Sequence, residues 1–509
     1  MSENSESIAA PITPQSSEKL VASDTPKAPG PGKEPRMRFT KKERSWIMYD
    51  WANSVYATIM LAAVFAAFFT GLCDDPRGGD YWWSIGTTIS VLVVAVLAPL
   101  LGAFADYKGY KKKLFVALLI LGLATTAMCA IFNDWRLLLV GYILSHVGFS
   151  GSCLIYDSFL PDVTTPERMD KVSGWGYAMG YIGGSTIPFL ISIALINFGE
   201  NFGIDTVLAV KISVMITVIW WGLFSIPFIT NIKQQHYIEK PKGSTIVNTF
   251  SNILKTAKKI FKHKALFLFI VAYFFYIDGV GTIISLATSY GAQLGLGMVG
   301  MIVALLVTQL VAFPFSILFS RFAKRFGTLN IITVAVVLYT FICIVGFFMG
   351  YLIEIAEIPV KLQALAAGGV SLADTTNLTV INEALISANI ADSAWNEQAI
   401  YLTAIGNSTI LFWTLAILVG MVQGGIQALS RSYFGKLVPP KNSGEFFGFF
   451  EIFGKFAAIL GPLLYAITKG FTGRSSFSIM SIVLLFVVAL VILLIGRKHM
   501  NAKQIAEEE

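Results

Sequence analysis

The sequence predicts an all-α membrane protein with twelve transmembrane helices in two pseudo-symmetric six-helix halves. Three observations predict this fold: a low content of charged residues, twelve long apolar runs and an internal repeat. The chain has 509 residues, of which 55% are hydrophobic and only 14% charged. A soluble domain carries roughly a quarter charged residues. A lipid bilayer is therefore the solvent that suits this chain.

The apolar runs are each long enough to cross ~30 Å of hydrocarbon as a helix, which needs about 20 residues. The predicted positions are 46–71, 82–105, 114–132, 137–160, 174–197, 207–230, 265–289, 297–319, 328–351, 408–430, 447–467 and 476–496. A helix satisfies its own backbone hydrogen bonds, so each run is predicted to be helical rather than extended.

These runs group into two halves, 45–230 and 265–496, joined by a basic cytoplasmic linker at 231–264. The preceding chain, 1–44, is rich in Ser, Pro, Ala and Glu and has a basic end. Such a segment cannot bury apolar surface, and it is predicted to be a disordered cytoplasmic tail. Residues 497–509 are predicted to form a second cytoplasmic tail.

The basic residues predict the orientation. The net charge of +7 is spread between the apolar runs rather than over one patch, so it indicates topology and not nucleic-acid binding. With the first residue inside, the inner segments hold 29 Lys and Arg and the outer segments five. Both termini are therefore predicted to be cytoplasmic and the long segment 352–407 to lie outside. A bacterial chain would lie in the inner cell membrane.

An internal repeat relates the two halves. Two groups of residues recur, one after 218 positions and the other after 274. The first group is Phe104-Ala105 and Gly109, repeated as Phe322-Ala323 and Gly327; the second is Gly174, Gly180 and Pro188, repeated as Gly448, Gly454 and Pro462. The offsets differ by 56 residues, which matches the length of segment 352–407. The second half is therefore predicted to resemble the first with one insertion.

A glycine-rich basic loop follows the second apolar run. Gly102 allows a neighbouring helix to approach closely, and Gly109 allows a tight turn at positive φ. Asp106 can accept hydrogen bonds or meet a helix N-terminus, and Lys111, with the two lysines after it, holds the loop at the cytoplasmic face. The alternative is a generic basic turn. The spacing resembles the G-x-x-x-D-x-x-G signature of the major facilitator transporters, which predicts a conformational latch here.

The equivalent loop of the second half departs from this signature. Ser320 stands at the position of Gly102, and Lys324 stands at the position of Asp106. A second copy of the carboxylate latch is therefore not predicted.

Further motifs in both halves resemble one branch of these transporters, the Atg22-like family. They are YDWANS at 49–54, QALSRS at 427–432, EFFG at 445–448 and YxDG at 276–279. The likeness spans roughly residues 45–495 and implies a membrane transporter. Since the yeast namesake is associated with amino-acid efflux from the vacuole, the resemblance implies amino-acid export as the first substrate class to test.

Ionisable residues inside a membrane are the default candidates for a substrate or ion pathway, because a charge at a helix centre costs about 2.5–3.5 kcal/mol. Asp50 and Asn53 lie one turn apart in the first run. Asp278 lies near the midplane of the seventh run, the counterpart of the first. Asp278 is predicted to contact a substrate or ion; the alternative is a carboxylate satisfied by neighbouring helices. Asp50 is interpreted as such a satisfied group or as a gate.

Two further pairs are candidates for the pathway. Tyr156 and Asp157 close the fourth run near the cytoplasm, where they either line the pathway or act as interfacial caps. Glu451 and Lys455 are spaced i and i+4 in the eleventh run, which favours an intrahelical ion pair. In lipid such a pair should face protein or a water-filled cavity, so a lining role stays open.

The sequence carries no nucleotide-binding loop, metal-protease motif, paired cysteines or nucleophile elbow. No cofactor, bound metal or enzymatic activity is predicted. The predicted function is secondary transport of a small polar organic solute by alternating access, coupled to a proton or sodium ion if at all, by a monomer. The alternatives are a multidrug or metabolite efflux carrier and a membrane sensor that kept the fold but lost transport.

Overall fold

A computed structural model of the chain describes residues 38–62, 64–239, 258, 260–293, 298–366 and 392–500. The predicted disorder of the N-terminal tail falls mainly on residues outside this set, as do most of the basic linker and the last nine residues. Among the described residues the regular structure is helical, apart from an isolated β-bridge between Tyr107 and Ile238.

Twelve helices within the described residues are long and apolar enough to cross a membrane, which confirms the predicted number. The first half contains α1 (Lys41–Leu72), α2 (Gly79–Ala105), α3 (Tyr110–Ile131), α4 (Trp135–Ser158), α5 (Pro166–Phe202) and α6 (Thr206–Asn231). The second half contains α7 (Lys264–Gln293), α8 (Met298–Phe326), α9 (Thr328–Ala366), α10 (Asp392–Leu437), α11 (Ser443–Thr472) and α12 (Ser475–Gly496). The starts of odd-numbered helices and the ends of even-numbered ones share one membrane side, called the terminus side below.

The first helix begins at Lys41, earlier than the predicted start at residue 46. Its N-cap, Thr40, accepts a hydrogen bond from the backbone N–H of Glu43, whose carboxylate accepts one from the backbone N–H of Thr40. This capping box satisfies amides that the first turn would leave unpaired. A prediction based on apolar length misses the turn because its residues, Lys41 to Arg44, are charged.

The predicted outer segment 352–407 is helical at both ends. Helix α9 continues to Ala366, and α10 already begins at Asp392. Residues 352–366 are rich in Leu, Ile, Ala and Glu, most of which form helices well. The apolar runs mark only the part of a helix that hydrocarbon covers, so these extensions were not predicted. Residues 367–391 lie outside the described set.

The internal repeat has a counterpart in the backbone of the two halves. Gly109 precedes α3 with φ 76°, and Gly327 precedes α9 with φ 89°. These are conformations that glycine adopts without strain, so the positive φ predicted for Gly109 is observed. Helix α2 packs against α11, and α5 packs against α8 and α10, so that both halves meet along these crossings.

Candidate functional site

Arg431 of α10 lies at the centre of the contacts between the two halves. Its side chain is only 4% exposed. One terminal nitrogen lies 2.8 Å from a carboxylate oxygen of Asp50 in α1, and the other lies 3.0 Å from Asp157 at the end of α4. Its Nε also donates to the hydroxyl of Ser173 in α5, at 2.9 Å. One guanidinium of the second half is thus bound by three helices of the first.

Aromatic rings enclose the same guanidinium. Its central carbon lies 4.5 Å from the ring centre of Trp46, 4.4 Å from Tyr177 and 5.6 Å from Tyr156. Trp46 and Tyr156 stack with ring centres 4.4 Å apart, and the indole N–H of Trp46 donates to the carbonyl of Tyr156. We call the six residues of the first half that surround Arg431 the guanidinium cage: Trp46, Asp50, Tyr156, Asp157, Ser173 and Tyr177.

The predicted latch residues form a second contact between the halves. The Asp106 carboxylate accepts hydrogen bonds from the backbone N–H groups of Gly444 and Glu445, at 2.7 and 2.8 Å, in the first turn of α11. The helix dipole and its unpaired amides favour a carboxylate at that end. Gly102 lies against Gly444, because a Cβ there would meet the Gly444 carbonyl. Burial raises the pKa of Asp106 to about 7, although the two N–H donors and nearby Lys111 oppose that shift.

Lys111 is fully buried beside this latch. Its ammonium lies 3.0 Å from the carboxylate of Asp162 and donates to the hydroxyl of Ser443 and the carbonyl of Ser158. Asp162 also accepts the backbone N–H groups of Gln235 and His236, at 2.9 and 2.7 Å. The lysine thus ties the start of α3 to the end of α4 and to the start of α11, and it does not point into water.

A third polar cluster joins the halves through Asp170 of α5. Its carboxylate lies 2.6 Å from the ammonium of Lys436 at the end of α10, and it accepts the hydroxyls of Ser432 and Thr328. Since Lys436, Ser432 and Thr328 belong to the second half, this cluster joins the halves on the terminus side, alongside the guanidinium cage.

The structure places Asp278 inside the second half. It is 1% exposed, and its two oxygens accept the backbone N–H of Gly461 in α11, at 3.0 and 3.1 Å. Thr282 donates to the same carboxylate, at 3.4 Å. The next residue, Pro462, distorts the helical hydrogen bonding at this point. These contacts match the alternative considered for Asp278, a carboxylate satisfied by a neighbouring helix.

The remaining predicted residues lie on both sides of the interface between the halves. Glu451 and Lys455 form the expected intrahelical pair, with the ammonium 3.4 Å from the carboxylate and both side chains about a quarter exposed. Asn53 is buried one turn after Asp50. The structure thus brings Asp50, Tyr156 and Asp157 together, whereas Asp278 lies apart from them.

A small cavity lies elsewhere in the second half. It encloses about 130 Å³, and mostly apolar residues of α7, α8, α9, α10 and α12 line it, with the amides of Gln309 and Gln423. None of the predicted pathway residues lines this cavity. Among the described residues, no group of three His, Cys, Asp or Glu side chains is placed to hold a metal ion.

Sequence reasoning missed three residues: Arg431 and Asp170, which bind residues of the other half, and Asp162, which binds Lys111 beside the latch. Arg431 was counted as a topology charge, although it lies within the QALSRS motif. A signal is present, because Arg431 directly follows the tenth predicted run, 408–430, and an arginine that stays in the membrane needs a buried partner.

Comparisons with known proteins agree with this architecture. The family model "Vacuole effluxer Atg22 like" matches residues 84–364 and 385–505. A major-facilitator-type transporter of Bacillus subtilis, YxiO, is 42% identical over 464 residues, which cover 90% of this chain and 95% of that protein. Autophagy-related protein 22 of Saccharomyces cerevisiae is 24% identical over 81% of this chain and 76% of its own length.

Solved structures share the fold at low sequence identity. The major facilitator transporter FucP, in an outward conformation, has a TM-score of 0.57 at 12% identity and covers 90% of this chain and 98% of its own. A bacterial homologue of the iron transporter ferroportin, in an outward-facing state, has a TM-score of 0.54 at 11% identity over 90% of this chain and 98% of its own.

Proposed function

Because the chain belongs to the Atg22-like family and is a multi-pass membrane transporter of the major facilitator type, we propose that it works as a secondary active transporter by alternating access. The proposed cargo is a small polar organic solute, coupled to a proton or a sodium ion where the transport is active. The two six-helix halves would rock about a path between them.

The observation that carries this proposal is the ion cluster between the halves on the terminus side. Arg431 of the second half binds Asp50 and Asp157 of the first, and Asp106 binds the first turn of α11. These contacts are made of charges and hydrogen bonds, which water can replace when the halves separate, rather than of a continuous apolar seam. Such an interface suits a gate that opens and closes.

Amino-acid export is the first substrate class to test, on the resemblance to the yeast efflux protein. Multidrug or metabolite efflux is the second. A sensor that kept the fold without moving solute is the alternative from another class. Solute flux distinguishes the sensor from both transporter hypotheses, because all three predict solute binding and only the transporters predict solute movement.

The experiment is flux through the purified protein in liposomes, screened against labelled amino acids and other small polar solutes. A matched control uses cysteines at Asp170 and Ser432, whose side chains touch across the halves at 2.6 Å. Oxidation should lock the terminus side and stop the flux, and a reductant should restore the flux that the same double variant shows before oxidation. Binding of a solute without any flux above that of empty liposomes would favour the sensor.

We also propose that the terminus side is cytoplasmic and that segment 352–407 faces outside, on the basic-residue distribution. A cysteine replacing Asp374 should react with an impermeant reagent added to intact cells. A cysteine replacing Pro241 should react only after permeabilisation. The opposite pattern would reverse the orientation without affecting the transport hypothesis.

A further inference from the structure

The guanidinium cage is built by one half of the protein. Trp46 and Asp50 lie in α1, Tyr156 and Asp157 in α4, and Ser173 and Tyr177 in α5. The guanidinium comes from the other half, on α10. A movement that separates the halves therefore withdraws Arg431 and leaves the cage intact on the first half.

The cage contains more cation-binding groups than the single charge of Arg431 requires. Two carboxyl groups face one guanidinium, at 2.8 and 3.0 Å, and the flat faces of three aromatic rings lie around it. Unpaired charges in a low-dielectric site are costly. Once Arg431 leaves, Asp50 and Asp157 lose their partner, and the emptied cage favours a replacement cation of similar shape.

We propose that the guanidinium cage is the binding site for an organic cation with a guanidinium group, which Arg431 occupies in the closed state and the solute occupies when the terminus side opens. This inference rests on the proposed transport function and names its substrate class. Arg431 is then an internal competitor. Solute binding would stabilise the open state, and solute release would let Arg431 return and close the gate.

The shape of the cage distinguishes among cations. A guanidinium is planar, stacks on aromatic rings and donates to two carboxylates at once. A primary ammonium keeps the charge but lacks the planar shape and the paired N–H donors of a guanidinium. Its cation–π contact with the rings of the cage is therefore less favourable. A neutral urea keeps the plane and loses the charge. The expected order of affinity is therefore arginine, then lysine, then citrulline.

The experiment measures equilibrium binding of labelled arginine to the full chain in lipid nanodiscs, with lysine and citrulline as competitors. Citrulline, the neutral isostere, should bind at least about tenfold more weakly than arginine, as expected for loss of a buried charge pair. Asp50→Asn and Asp157→Asn should each weaken arginine binding by about tenfold or more.

Arg431→Ala should have the opposite effect. Without the internal competitor the binding-competent state is populated more often, so arginine should bind about tenfold or more tightly than to the unmodified protein. Arg168→Ala is the matched control. Arg168 lies 2.7 Å from Glu43 within the first half, so its removal deletes a paired arginine without emptying the cage and should leave the affinity unchanged.

Equal binding of arginine and citrulline would overturn the inference, as would an Arg431→Ala variant that binds arginine no more tightly than Arg168→Ala does. If the Asp50→Asn and Asp157→Asn variants do not fold, Arg431→Ala and Tyr177→Ala test the inference instead. Tyr177→Ala should weaken arginine binding because it removes one of the rings around the guanidinium. Flux of a different solute without arginine binding would overturn this inference but not the transport proposal. Arginine binding without flux of any solute would overturn the transport proposal but not the cage.

Discussion

Two of the helix crossings that join the halves share a backbone geometry and differ in charge. Where α2 crosses α11, Gly102 lies against Gly444, and a Cβ on Gly448 would lie 2.6 Å from the carbonyl of Ala98. Where α8 crosses α5, a Cβ on Gly174 would meet Ser320 and would lie 2.9 Å from the carbonyl of Ser316. Positions 102 and 320 differ by 218, and 174 and 448 by 274. The crossings are thus related by the same offsets as the sequence repeat.

The polar contacts at the crossings do not follow that symmetry. At the first crossing, Asp106 binds the backbone amides of Gly444 and Glu445. At the second, Lys324 occupies the position of Asp106, and the carboxylate comes from Asp170, which occupies the position of Gly444. Asp170 binds the ammonium of Lys436, which belongs to α10, the helix packed against α8. The backbone contact is therefore duplicated, whereas the first crossing is held by helix-end amides and the second is flanked by an ion pair between α5 and α10.

The sequence repeat also relates Arg431 to one residue of the guanidinium cage. Asp157 and Arg431 differ by 274 positions, so they are equivalent residues of the two halves, and they bind each other at 3.0 Å. A repeat that brings equivalent positions together across its axis would place like charges side by side if both copies were the same. Opposite charges at the two positions convert that repulsion into an ion pair.

The largest effect is expected for the ion pair between α5 and α10, beside the second crossing. Asp170→Asn leaves the Lys436 ammonium, only 15% exposed, without its carboxylate. Breaking such a buried pair costs about 3 kcal/mol or more, and the cost falls on the closed state. The measurement is the distance between spin labels on Lys113→Cys and Lys441→Cys, in a background without the four native cysteines. The labels should move apart in the variant.

The control for Asp170 removes both partners. Asp170→Asn combined with Lys436→Met replaces the ion pair without leaving a lone charge, so it should recover most of the short-distance population. A double variant as open as Asp170→Asn alone would show that Asp170 acts through Ser432 and Thr328 instead.

A smaller difference is expected between the glycines of the two crossings. Gly102→Ala directs a methyl group at the Gly444 carbonyl, which belongs to the backbone and cannot rotate away. Gly174→Ala meets first the Ser320 hydroxyl, which can rotate. We expect Gly102→Ala to weaken closing by about 2 kcal/mol, within the usual range for overpacking, and Gly174→Ala by less.

The same pair of spin labels reports this difference. Ser320→Gly should rescue Gly174→Ala in part, because it removes the side chain that the new methyl group meets but leaves the Ser316 carbonyl at 2.9 Å. No single side-chain change should rescue Gly102→Ala. Equal opening in both glycine variants would mean that the two crossings contribute equally to the stability of the closed state.

The sequence was sufficient for the features that are local in the chain. The twelve helices follow from apolar length, and Gly102, Asp106 and Gly109 follow from a motif within eight residues. The contact of Asp106 with a helix N-terminus was among the possibilities that its chemistry allowed. The motif could not identify the helix that Asp106 contacts, because Gly444 lies 338 positions away in the chain.

The candidate site was predictable only in part, for the same reason. Asp50 and Asp157 were singled out by the cost of a charge in the membrane, but that argument names no partner, and their partner Arg431 lies 381 and 274 positions away. For Asp278 the same cost argument predicted a ligand. Its partner in the structure is the backbone N–H of Gly461, next to Pro462, and a survey of side chains does not reveal such a donor.

The smallest effect at neutral pH is expected for Asp106→Asn. When the terminus side is closed, burial raises the pKa of Asp106 to about 7, against the opposing influence of Lys111 and the two amides. In an open, hydrated state the pKa should return to about 4. The closed state then binds more protons, so closing should strengthen as the pH falls from about 7 towards 4 and stay constant above 7.

Asparagine cannot ionise, and it still offers an oxygen to one of the two amides. We therefore expect Asp106→Asn to change closing by only about 1 kcal/mol at pH 7.5, to slow transport several-fold without changing solute affinity, and to remove the pH dependence of the label distance between pH 4 and 7. A variant that kept this pH dependence would assign it to another group, and a large loss of solute affinity would place Asp106 in the solute path instead of in the gate.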